Sequence, residues 1–208
     1  MIQYIKLILV LTASLLFNIH IMSQTTEAPY RTIESYPETY SMGGVVSRML
    51  DGLGYRYHWA SKDLRQVDLN YAPGNDGKSV IETLKHIYEL AVDALLLAEG
   101  QEFNRPRVAV GNMEYTELRQ LTLKSIHQAS RKFKAMTDSD IANIKVVFAF
   151  VDRKKEYPFW NFLNGQLSDA IYHTGQIVSF RRSSGNPVSK EMNVFTAGLD
   201  YSKSLKSE

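Results

Sequence analysis

From residue 160 the chain runs Trp160-Asn-Phe-Leu-Asn-Gly-Gln-Leu-Ser-Asp-Ala-Ile-Tyr-His-Thr-Gly-Gln-Ile-Val-Ser-Phe-Arg-Arg-Ser-Ser-Gly-Asn-Pro187. Phe162, Leu163, Leu167, Ala170, Ile171, Ile177, Val178 and Phe180 make an apolar face at helical spacing, so a long amphipathic helix is predicted here. It opens after Pro158 and ends before Ser183-Ser-Gly-Asn-Pro187. At about 100° per residue, Asp169 and His173 lie one turn apart on one row, with Gln166 and Gln176 on the same row. That row follows the edge of the apolar face, where side chains can reach a neighbouring helix. Asn161, Asn164, Ser168, Tyr172 and Ser179 take the outward face.

Three more helices are predicted. Met42, Val45, Val46, Met49, Leu50, Leu53 and Tyr57 make a first stripe that runs to about Ser61, although four glycines within it oppose a helix. The turn cluster Tyr71-Ala-Pro-Gly-Asn-Asp-Gly77 precedes a second stripe of Val80, Leu84, Ile87, Leu90, Ala91, Ala94 and Leu95. A loop over residues 100–111 follows. The third helix starts near Glu114, carries Tyr115, Leu118, Leu121, Thr122, Ser125, Ala129, Phe133 and Met136, and stops near Thr137. Lys145 to Val151 is a β-branched and aromatic run too short to found a sheet, with charged Asp152 to Glu156 as its turn. Four long helices with few strand signals predict an all-α four-helix bundle with a short strand and turn before the last helix.

The remainder of the chain sets the context. Lys6 and the apolar run Leu7 to Phe17, shorter than the roughly 20 residues that span a bilayer, read as a signal peptide over residues 1–23 cleaved before Gln24. An exported protein, periplasmic or secreted and without a stable membrane span, is therefore expected. Residues 24–40, with Pro29 and Pro37, read as an extended lead-in, residues 41–201 as the bundle, and residues 202–208 as a frayed tail. With 24 Lys plus Arg against 22 Asp plus Glu, the chain lacks the basic excess that nucleic-acid binding needs. The absence of cysteine removes disulfides, thiolate nucleophiles and Cys-held metals.

Any metal must then sit on His and carboxylates. His86, at the Leu90 edge of the second stripe, is the natural companion of Asp169 and His173. Two imidazoles and a carboxylate suit a borderline divalent ion and leave positions open for water or a small-molecule substrate. The alternative is that the two histidines are hydrogen-bonded core residues and Asp169 pairs with Arg181 or a tyrosine. His127 falls opposite the third stripe and is expected to be solvated; His58, among aromatics, is expected to pack or line a pocket mouth. No phosphate loop, nucleophile elbow or H-E-x-x-H occurs.

The 160–187 stretch resembles the last helix of the DinB-like superfamily, whose hallmark is H-x-x-x-H followed by Gly-Gln and, further on, Arg and Gly. Thr83-Leu-Lys-His-Ile-Tyr-Glu-Leu90 resembles that family's second-helix histidine segment. The resemblance implies a four-helix bundle with a long crossover that holds a divalent metal on three histidines. Some members are thiol transferases and one is a maleylpyruvate isomerase. Residue by residue, it places the ligands on His86, Asp169 and His173, with Asp169 where the family has His; that departure favours Zn²⁺, Ni²⁺, Fe²⁺ or Mn²⁺. It implies a metal-dependent hydrolase or transferase, or a non-catalytic module with a degenerate site. Gln166 and Gln176 would support the ligands or orient substrate. Homodimers are frequent among such bundles, and export disfavours cytosolic thiol cofactors.

Overall fold

The computed structural model describes residues 28–74, 76–107 and 110–198. The signal peptide expected over 1–23 and the tail over 202–208 lie outside the described residues. Within them the chain is mostly helical, with one small sheet.

Helix α1 (Met42–Ala60) begins where Ser41 Oγ accepts a hydrogen bond from the Gly44 amide at 3.0 Å. Two of its glycines have a packing reason. A Cβ on Gly43 would stand 2.3 Å from the Phe133 carbonyl oxygen, and one on Gly54 would stand 2.4 Å from the Tyr30 ring. Their low helix propensity is therefore offset by the close approach they permit.

After the short α2 (Gln66–Leu69), helix α3 (Val80–Ala98) opens with a reciprocal box in which Ser79 and Glu82 satisfy each other's amides. Helix α4 (Tyr115–Lys134) ends three residues before Thr137, which starts a separate helix, α5 (Asp138–Asn143), through a second such box with Asp140.

The last helical segment comprises α6 (Trp160–Phe162), a π turn over Leu163–Leu167, and α7 (Ser168–Ser183). Helix α4 packs on α1 and α3, and α7 packs on the same two helices from the other side. Leu50, Tyr57, Leu84, Ile87, Leu118, Ile126, Phe133, Phe162 and Ile177 fill one core between them. None of the described helices is long and apolar enough to cross a membrane.

The chain does build a sheet, contrary to the sequence reading. Strand β1 (Phe103–Asn104) pairs in parallel with β2 (Lys145–Ala149), which pairs antiparallel with β3 (Lys154–Pro158). The ring of Phe148 meets Phe103 and Tyr157 edge-on at 5.3 and 5.8 Å, and this aromatic stack offsets the short strands. All five residues of β3 are exposed, so its lysines mark a protected edge rather than a turn.

Residues 28–40 form neither helix nor strand, but the folded body starts before Ser41. Tyr30 and Ile33 are buried, the Tyr30 hydroxyl donates to Asp51 Oδ1 at 3.0 Å, and Trp59 Nε1 donates to the Arg31 carbonyl at 3.3 Å. Two apolar anchors in a polar segment are enough to tie it down. The Tyr30 ring also stands edge-on to His127 at 5.6 Å, which half-buries a histidine expected in solvent.

One buried carboxylate fastens α2 to the end of α7. Asp68 accepts from Arg65 Nε and Nη2 at 2.9 and 2.8 Å, from Ser184 Oγ at 2.6 Å and from Asn186 Nδ2 at 2.7 Å. The Arg65 hydrogen bonds outweigh burial and hold this carboxyl well below the usual carboxylate range. A folded pKa below the unfolded value of about 3.9 means the contribution is complete above that pH and is lost as pH falls through the folded value. Acidification from about pH 5 to about pH 2 should therefore lower the urea midpoint of the wild type more steeply than that of Asp68→Asn. Parallel slopes would contradict this.

Candidate metal centre

Helices α3 and α7 bring His86, Asp169 and His173 together. His86 Nε2 stands 3.0 Å from Asp169 Oδ2, His173 Nε2 stands 3.3 Å from Asp169 Oδ1, and the two imidazoles meet edge-on at 4.8 Å. One potential ligand atom from each of the three lies within 4.8 Å of the others. The two short separations run to different oxygens of the carboxylate, so each oxygen faces one imidazole. Side-chain exposure is 23% for His86, 16% for His173 and 43% for Asp169, so the carboxylate forms the open side.

The surroundings orient the rings. Gln176 Oε1 can only accept, so at 2.6 Å it takes the Nδ1 proton of His173 and leaves the Nε2 lone pair facing Asp169. Gln176 Nε2 then donates to the Tyr172 hydroxyl at 3.3 Å, and the Tyr172 ring lies against His173. On the other imidazole, Nδ1 is 3.7 Å from Glu89 Oε2, an ion-pair distance beyond hydrogen-bond reach.

Glu89 also accepts from Arg107 at 3.0 Å; Arg107 pairs with buried Asp93, and Asp93 with Arg105 at 2.8 Å. Charges therefore alternate outward from the site. Gln176→Leu should weaken zinc binding about 10–100-fold while Gln176→Glu retains an acceptor and most of the affinity, read by calorimetric titration. Equal affinities in all three proteins would contradict the orienting role.

The predicted row of four does not stay together. Gln166 falls in the π turn, which inserts a residue into the helical count and leaves it 7% exposed, whereas Asp169 three residues later faces outward. Arg181 is not the partner of Asp169. It is buried at the far end of α7 and donates to the Trp59, Ala60 and Lys62 carbonyls. His58 is buried with Nδ1 3.0 Å from the Pro29 carbonyl oxygen, which is a packing role, and neither it nor His127 belongs to the cluster.

Glu89 and Arg107 were missed by the sequence reading. Glu89 was accessible to it, being three residues from His86 on the same helix. Arg107 sits in a loop, where no periodicity points to it. The chain matches no protein-family model, and neither curated proteins nor solved structures show a significant similarity to it.

Proposed function

We propose that this chain is an exported four-helix bundle of DinB-like topology that holds a divalent ion, Zn²⁺, Ni²⁺, Fe²⁺ or Mn²⁺, on His86, Asp169 and His173, and that it is a metal-dependent hydrolase or transferase of a small molecule. The reading is carried by one observation: three side chains singled out on two separate helices converge with their ligand atoms within 4.8 Å of one another. Four long helical segments around one core, with the last packed on the first and on the histidine-bearing one, support the bundle. Export rests on the residues 1–23 pattern alone.

A divalent ion there would supply Lewis acidity toward a substrate oxygen. The chain's own groups prepare for it. Gln176 fixes the tautomer of His173, Glu89 lies beside Nδ1 of His86, and half-exposed Asp169 faces the entry side.

A second reading has its own observation. Asp169 Oδ2 stands 3.0 Å from His86 Nε2 and Gln176 Oε1 stands 2.6 Å from His173 Nδ1, so each histidine has a hydrogen-bond partner without an ion, which suits a non-catalytic module with a degenerate site. Titrating the purified protein with Zn²⁺, Ni²⁺, Fe²⁺ and Mn²⁺ in turn separates the two. The metal reading expects one equivalent of at least one ion, with a rise in melting temperature that His173→Ala abolishes. No binding by any of the four would leave the second reading standing.

A further inference from the structure

The π turn over Leu163–Leu167 opens the backbone at the start of α7, and Ser168 Oγ takes up the Leu163 carbonyl at 2.6 Å. A cleft of about 470 Å³ lies over this turn, lined by Leu90, Asn164, Gln166, Ser168, Asp169 and Tyr172. Gln166 is 7% exposed, and its Oε1 is buried with no hydrogen-bond partner among the described residues. A buried carbonyl in that state costs stability that an apolar side chain of similar length would not. Asp169 is common to the cleft and to the metal cluster, so a molecule in the cleft lies beside the ion site.

The lining also defines what fits. It holds amide, hydroxyl and phenol groups, a single ionisable carboxylate and no Lys or Arg. Nothing in it recognises a phosphate or carboxylate headgroup. We propose that the Gln166 amide turns out into the cleft and accepts at Oε1 the N–H of a small neutral molecule whose neighbouring oxygen faces the ion site, the pattern of an amide or hydroxamic acid. This rests on the metal reading above. Gln166 is thus a substrate-positioning residue, and the π turn is the device that places it beneath the cleft.

The probes are acetohydroxamic acid and its N-methyl derivative, which lacks the donor, titrated into zinc-loaded wild type and Gln166→Met. The wild type should prefer the N–H form by about tenfold, one hydrogen bond's worth, and Gln166→Met should bind the two within about twofold of each other. Zinc affinity should be the same in both proteins, and metal-free Gln166→Met should melt at or above the wild type.

A preference unchanged in Gln166→Met, with zinc bound normally, overturns this inference and leaves the metal reading intact. Metal-free Gln166→Met melting below the wild type also overturns it, because Gln166 would then be serving the packing. Absence of zinc binding by the wild type overturns both.

Discussion

Arg181→Met lowers the unfolding free energy by about 3–5 kcal/mol, the cost of breaking a buried charge-assisted network from one side. Arg181 is 4% exposed, and its guanidinium donates through Nη1 to the carbonyls of Trp59, Ala60 and Lys62 at 3.0, 3.1 and 2.8 Å. Nε and Nη2 hold Asn186 O and Oδ1 at 2.8 and 3.1 Å. The cation therefore sits on the negative end of α1 and fixes the turn that follows α7.

Methionine keeps the apolar stem but ends short of the guanidinium and leaves those carbonyls without a donor, each a loss of about 1–3 kcal/mol before relaxation. For a domain of this size the drop in melting temperature is on the order of 10 °C. Arg181→Lys keeps the charge but lacks the fork, and should recover less than half of the loss. A change below about 1 kcal/mol in Arg181→Met would contradict the capping role.

How much of this was legible in the sequence depends on the range of each interaction. The starts of α1 and α3 followed from apolar spacing, because stripes are local; the caps on Ser41 and Ser79 that fix them are local too. The sheet was not legible. β3 has no buried face, β1 is two residues long, and both exist only because β2 lies between them, more than forty residues beyond β1.

The π turn defeated the helical count at one point: Asp169 and His173, both past it, kept their shared face, while Gln166 within it turned inward. The role of Arg181 was equally hidden. Three of its partners are carbonyls 119 to 122 residues away, which side-chain patterning does not encode.

Asp169→Ala carries the second large effect. It removes the cluster's anionic ligand, so zinc affinity should fall by at least about 100-fold, beyond the loss caused by an orienting partner. The side chain is 43% exposed and lies outside the core, so the metal-free melting temperature should move by no more than about 2 °C. Asp169→His sets a third imidazole in the same place and should keep zinc within about tenfold of wild type. An Asp169→Ala protein that binds zinc as tightly as wild type would remove Asp169 from the site.

The direct test is diffraction at the zinc absorption edge from crystals grown with one equivalent of zinc. The expected result is a single anomalous peak about 2.0–2.2 Å from one nitrogen each of His86 and His173 and from a carboxylate oxygen of Asp169. An ordered cluster with no peak, its carboxylate still hydrogen-bonded to His86, or a peak held by other residues, would contradict the metal centre.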